Sequence, residues 1–310
     1  MDHKFRFGVQ LSRAHSGEDW VEKARRIEDL GFSTLLMPDH FDNQFAPLTA
    51  LAAAAASTSA LRVGGLVLDN DFRHPLVLAK ELATLDVLSG GRLEVGLGAG
   101  WMISDYEQSG IAYELAGVRI ARLQEAVSVI KSCLRGEPFS FAGHYYRITN
   151  HQGIPKPVQS PYPPLMLAGG ARRVLSFAAK EADIVAVNFS LAAGRASPQV
   201  TATGTPAATA EKIGWIRAAA GDRFEQLELN TTVFFTVVTE DRQETAERLA
   251  AGFGLQPADL LGSPHAAIGT VEEIADDLVR NREEYGFSYI VFQGSVFEAV
   301  APVVRQLAGR

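Results

Sequence analysis

Asp39 and His40 follow the apolar run "STLLMP" and are neighbours able to do chemistry together. A histidine titrates near neutral pH, and an adjacent carboxylate can orient or charge it, so the pair could move a proton. Pro38 cannot continue a strand ladder and fixes the exit of the run. An ordinary solvated loop is the alternative. A second candidate is "RVGGLVLDNDFRHP". Gly64 and Gly65 weaken a strand there and mark a bulge or the close approach of a ligand. Asp69, Asn70 and Asp71 then crowd polar groups at its end. A packing glycine pair followed by a capped turn explains the same residues. Arg73 and His74, before Pro75, are expected to cap and pack the next helix.

The stretch "LEVGLGAGW" places Gly96, Gly98 and Gly100 at every second position before Trp101. A dinucleotide turn needs G-x-G-x-x-G opening a helix. Here the third glycine comes one residue early, and Trp101 stands where a pyrophosphate should meet a helix. The fourth candidate is "LMLAGGARRVLSFAA". Gly169 and Gly170 lead straight into a helix whose free N–H groups favour an anion. Arg172 and Arg173 in its first turn oppose the helix dipole, a conflict that a bound phosphate would relieve.

Other chemistries lack their residues. There is no H-E-x-x-H, no cysteine pair, no G-x-S-x-G and no P-loop, and His3, His15, His144, His151 and His265 are scattered. No metal site is expected. The lone Cys133, within the helical pattern "LQEAVSVIKSCLRG", excludes a disulfide framework and is expected to be buried and inert. The net charge of −7 is spread along the chain, which argues against nucleic acid or an anionic membrane as partner. No stretch approaches a membrane span, and the charged start "MDHKFRFGVQ" does not read as a signal peptide, so a cytoplasmic protein is expected.

The elements that must position these residues alternate along the chain. Strand runs are "FRFGVQL", "STLLMP", "LRVGGLVL", "RLEVGLG", "PLMLAGG", "DIVAVNF", "LELNTTVFFTVV" and "FSYIVFQ", separated by amphipathic stretches such as "DWVEKARRIEDLG". Eight βα repeats in 310 residues, without a composition break, predict an α/β fold, a (β/α)8 TIM barrel with insertion segments, as a single domain over residues 1–310. The insertions are Phe139–Pro164, read as a hairpin and an extended crossing, and Leu191–Ala208, small and polar enough to be mobile. Barrel active sites lie at strand C-termini, where all four candidates fall.

The segments "PDHF", "LVLDNDFRHPLVLAKELATLDVLSGGRLEVGLGAGW", "GHYYRI", "PKPVQSPYPPLMLAGG" and "IGTVEEIADDLVRNREEYGFSYIVF" resemble the bacterial luciferase-like flavin-dependent superfamily. Within it they look most like the branch that uses the deazaflavin coenzyme F420. The resemblance covers most of the chain and is weakest over Leu191–Ala208. It implies a (β/α)8 barrel in which Asp39 contacts the cofactor and His40 donates or accepts a proton beside it. It makes Ala99, Gly100 and Trp101 a ring-binding strand end, not a Rossmann turn. It places a supporting bulge at "GGLV", with a non-prolyl cis peptide between Leu66 and Val67 and with Asp69 alongside. Gly169, Gly170, Arg172 and Arg173 match the positions that bind the cofactor phosphate. Trp101 departs from the branch's sugar-phosphate dehydrogenase, which has a catalytic glutamate there. The substrate expected is therefore a small hydrophobic or aromatic molecule, not a sugar phosphate.

The leading expectation is a cytoplasmic, homodimeric oxidoreductase moving a hydride between deazaflavin and an organic substrate. The alternatives are a monooxygenase using reduced FMN and dioxygen, and a non-catalytic flavin-binding barrel. An open-sheet sugar-binding protein is disfavoured by the eight-strand count.

Overall fold

Runs of apolar and small residues with no alternation are what parallel strands covered on both faces require. The computed structural model, which describes residues 3–195 and 197–310, places strands on such runs. In chain order they are β1 (Arg6–Gln10), β2 (Thr34–Met37), β3 (Arg62–Gly65), β4 (Leu68–Asp69) and β5 (Leu93–Gly98). There follow β6 (Pro138–Ala142), β7 (Arg147–Gln152), β8 (Leu165–Gly169), β9 (Ile184–Val187) and β10 (Glu228–Val233). The last are β11 (Phe235–Val238), β12 (Ala266–Gly269) and β13 (Phe287–Gln293). Every residue of β2, β5, β9 and β12 is buried. Helices cover them through apolar stripes: Gly17–Asp29 buries Trp20, Ala24 and Ile27 at spacings of four and three.

The chain divides into two compact units. One comprises residues 1–11, 26–34 and 166–310. In it β1, β13, β10, β9 and β8 lie side by side, all parallel, with Phe7 opposite Ile290, Thr231 opposite Ile290 and Gly169 opposite Val187. The run "LELNTTVFFTVV", expected as one strand, is two. β10 ends at Val233, and β11 leaves to pair in parallel with β12, Phe235 opposite Ala266. The strand β12 and the helices Arg242–Phe253 and Pro257–Leu261 had no counterpart in the sequence reading. They close a small core of their own around Ala250, Leu260, Ala266 and Ile268. The Leu191–Ala208 insertion, expected to be mobile, contains helical turns at Pro198–Thr201 and Ala202–Gly204. Ser197 caps the first turn and Pro198 opens it. Ala196 within that stretch lies outside the described residues.

The other unit comprises residues 12–25 and 35–165. Here β2 lies beside β3, and both β3 and β4 run parallel to β5. β3 and β4 are one predicted strand interrupted at Leu66 and Val67, whose peptide bond is cis, as the resemblance implied. The Leu66 N–H donates to the Met37 carbonyl at 2.7 Å, so the interruption is tied to the end of β2. The expected hairpin is β6 against β7, antiparallel. Cys133 is buried, and burial pushes its thiol up to about 11. No helix among the described residues is long and apolar enough to cross a membrane.

Candidate active site

The strand ends of the second unit carry a polar network. Pro38 turns the chain out of β2, and the Asp39 carboxylate that follows is buried. Its Oδ2 accepts the Asp69 N–H at 3.0 Å, and both of its oxygens are gripped by the guanidinium of Arg73. Arg73 is thus the counter-ion of Asp39, and not the helix-capping residue the sequence suggested. His74 does fill that role, its Nδ1 accepting the Leu76 N–H at 3.3 Å.

His40 points elsewhere. Its Nδ1 lies 2.7 Å from Oδ2 of Asp105, not against Asp39. Asp105 is buried in the first turn of the helix Ile103–Ser109, and its Oδ1 accepts the Phe41 N–H at 3.1 Å. One carboxylate therefore holds both the ring and the backbone beyond it. Against an ionised carboxylate, which only accepts, it is Nδ1 that donates and Nε2 that keeps the lone pair of a neutral ring. Nε2 makes no hydrogen bond among the described residues. The Trp101 indole stands edge-to-face with the imidazole, ring centroids 5.9 Å apart. Phe41 and Phe72 extend this apolar surface, with centroids 4.6 Å apart and Phe41 exposed.

Behind His40 the acids are crowded. Asp69 caps the turn Asn70–Phe72 by accepting the Asp71 N–H at 2.9 Å. Burial pushes its carboxyl up to about 7; the Asp71 N–H favours the charged form, while the charges of Asp71 and Asp39 add to the rise. The Tyr106 hydroxyl donates to Asp71 at 3.0 Å, and Arg122 pairs with Asp71 at 2.9 Å. Burial raises the Tyr106 phenol well above its usual range. Arg73 and Arg122 thus answer the charges of Asp39 and Asp71.

This packing explains the glycine spacing of "GLGAGW". A Cβ at Gly96 would run into the Gly65 carbonyl, one at Gly98 into Val67, and one at Gly100 into the Tyr106 hydroxyl and Asp69. Gly100 also has φ +72°, which a glycine tolerates best. The chain's own bulge and acids fill the space the missing side chains leave.

In the first unit, Gly169 ends β8 and Gly170 follows it before the helix Arg172–Glu181. A Cβ at Gly169 would strike Val174, and one at Gly170 the Phe189 carbonyl. The N-cap residue Ala171 offers no side-chain cap. Arg172 and Arg173 are exposed and make no ion pair or hydrogen bond among the described residues. Uncapped N–H groups beside two free guanidinium groups fit an anion such as a phosphate.

The sequence reading missed Asp105, Tyr106, Arg119 and Arg122, and misjudged Arg73. Arg119 did carry a signal: it shares the apolar stripe of Leu123, Ala126 and Ile130 at spacings of four, three and four. A cation in such a stripe needs a polar destination.

Comparison with known proteins places these features in a family. The model of the luciferase-like monooxygenases matches residues 3–286. An FMNH2-dependent dimethylsulfone monooxygenase of Pseudomonas putida is 27% identical over 255 residues, 79% of this chain and 66% of that protein. An F420-dependent glucose-6-phosphate dehydrogenase of Amycolatopsis mediterranei is 32% identical over 172 residues, 53% of this chain and 51% of that protein. The chain thus spans between about half and two thirds of these curated relatives' length. The F420-dependent tetrahydromethanopterin reductase of Methanopyrus kandleri superposes with a TM-score of 0.78 at 19% identity, covering 98% of both chains. That likeness concerns the fold. With a family model matched over nearly its whole length, the chain belongs to the luciferase-like monooxygenases and has their (β/α)8 barrel fold.

Proposed function

We propose that the protein is an oxidoreductase in which coenzyme F420 exchanges a hydride with a small hydrophobic or aromatic molecule and His40 moves the accompanying proton. The observation that carries this reading is the Asp105 carboxylate at Nδ1 of His40, which leaves Nε2 as the free proton-transfer atom. Neutral, the ring accepts a proton at Nε2; protonated, it donates one there, and Asp105 supports the imidazolium. Deazaflavin, when bound, supplies the hydride chemistry. The resemblance assigns it Asp39, Leu66, Val67, Asp69, Ala99, Gly100 and Trp101 for the ring, and Gly169, Gly170, Arg172 and Arg173 for the phosphate. The free guanidinium groups and uncapped N–H groups at the last four suit that charge.

Asp39 acts here through Arg73 and the Asp69 N–H, which fix the turn after β2. Its role is to place His40 and the bulge; the proton transfer belongs to His40. Trp101 beside the imidazole gives a flat apolar face where the sugar-phosphate enzymes have an acid, which supports an apolar substrate. We extend the proposal to a single catalytic domain that assembles as a homodimer in the cytoplasm.

The match to the dimethylsulfone monooxygenase, which reaches across 79% of the chain, supports a second reading, a monooxygenase using reduced FMN. Titrating the purified protein with oxidised and reduced F420 and FMN, followed by absorbance and fluorescence, decides between them. Saturable binding of F420 in preference to FMN supports the first reading. Preference for reduced FMN supports the second, and binding of neither overturns both.

A further inference from the structure

Arg119 is 3% exposed and pairs with no carboxylate among the described residues. A buried cation so placed must be solvated by something else. Its Nε donates to the Ala99 carbonyl at 3.2 Å and its Nη2 to the Gly100 carbonyl at 3.4 Å. Its Nη1 donates to the Glu114 carbonyl and its Nη2 to the Tyr113 hydroxyl, the latter at 3.3 Å. The guanidinium carbon lies 4.1 Å from the Tyr113 ring centroid. Residues 99 and 100 begin the connection after β5, and residues 113 and 114 lie just before its end at Leu115. One guanidinium therefore fastens the two ends of a seventeen-residue connection that carries Trp101 and Asp105, the two side chains that meet His40.

The link continues outward. The Tyr113 hydroxyl, accepting from Arg119, donates its own proton to the Trp101 carbonyl at 3.1 Å. Trp101 is thus held by its backbone on one side while its indole edge meets the imidazole on the other.

We infer that Arg119 is a positioning residue for proton transfer: by clamping the two ends of the β5 connection it sets Asp105 against Nδ1 of His40 and Trp101 against its ring. This rests on the reading of His40 as the proton-transfer group. Helix packing alone does not call for an arginine, because an apolar residue at position 119 would complete the stripe of Leu123, Ala126 and Ile130. Five donors in a rigid fork are what four acceptors spread over two chain segments require. Lysine keeps the charge but offers a single donor centre.

The test reads the imidazole directly. Full-length protein with 15N-labelled histidine is examined at pH 8 by long-range 1H–15N correlation, with the His40 ring assigned by its disappearance in His40→Gln. In wild type the account expects the proton on Nδ1. Arg119→Lys and the milder Tyr113→Phe, which removes only the hydroxyl, should both shift the ring towards a mixture of tautomers. Asp105→Asn should shift it furthest. Should Arg119→Lys fail to fold, Tyr113→Phe carries the test alone. If Asp105→Asn changes the His40 signals while folded Arg119→Lys and Tyr113→Phe leave them at wild-type positions, Arg119 is a packing residue and the inference is wrong. The experiment needs no cofactor. Failure of F420 or FMN to bind would overturn the proposed function and leave this result standing, and the reverse holds as well.

Discussion

The turn after β2 and the turn after β8 both end parallel strands, yet they treat charge in opposite ways. Around Asp39 the chain supplies its own counter-charges, Arg73 on Asp39 and Arg122 on Asp71, with the Tyr106 hydroxyl donating to Asp71 as well. Nε2 of His40 makes no hydrogen bond among the described residues. At Gly169–Arg173 the chain supplies charge without compensation, two exposed arginines on an uncapped helix start. The first arrangement sets one imidazole against one buried carboxylate. The second stays electrostatically unfavourable until an anion arrives. On the proposed reading, proton handling and anion recognition fall to separate strand ends.

Breaking the first region should have the largest effect. His40→Ala is expected to slow turnover by roughly 10²–10⁴, the usual worth of general acid–base catalysis, while cofactor affinity stays within a few-fold. Steady-state rates with an identified substrate, set beside a cofactor titration, check both halves. Unchanged turnover would reduce His40 to a loop residue. Asp105→Asn should cost less, because the ring remains although its tautomer is no longer enforced. A loss in kcat with little change in KM is the expected pattern; a loss confined to KM would place Asp105 in substrate binding instead.

A smaller effect concerns stability. The Asp69 carboxyl is raised by burial to about 7 from 3.8, so the folded state holds a proton that the unfolded chain releases. Its contribution is fully present below about pH 4 and is lost as pH rises through about 7. Asp69→Asn keeps an acceptor for the Asp71 N–H and cannot ionise. Relative to wild type, the variant should therefore gain stability between pH 4 and pH 8, read from urea midpoints across that range. A difference independent of pH would mean that Asp69 titrates normally. The smallest expected effect is at Cys133, whose buried thiol should resist maleimide at pH 7.5 in the native protein and react after denaturation.

The sequence exposes the first region unevenly. Asp39 and His40 were legible because a proline and a strand end isolate them. Their partners were not. Asp105 sits in a seven-residue helix too short for a periodic signal, and it meets His40 across 65 positions of chain. Arg73 precedes a helix-opening proline, where capping is the local expectation, and a buried carboxylate 34 residues earlier outweighs it. The arrangement of the second region was legible, since its glycines, its arginines and the helix they open are consecutive. At fold level the eight parallel strand runs were readable from unbroken apolar stretches. β12 was not, because four small residues, "AAIG", carry neither alternation nor bulk. Nor was the departure of β11, which depends on β12 being there to receive it.

The central claim is that the two turns act separately on a phosphorylated redox cofactor. Isothermal titration of F420 into wild type, His40→Ala and the double variant Arg172→Ala/Arg173→Ala, at low and high salt, tests it most directly. The account predicts saturable binding by wild type and a nearly equal affinity for His40→Ala. It predicts binding weakened roughly three- to tenfold in the double variant at low salt, with the gap narrowing as salt screens the arginines. Equal affinity of wild type and the double variant at both salts would remove the arginines from the site, and a His40→Ala protein that no longer binds would contradict the division of labour itself.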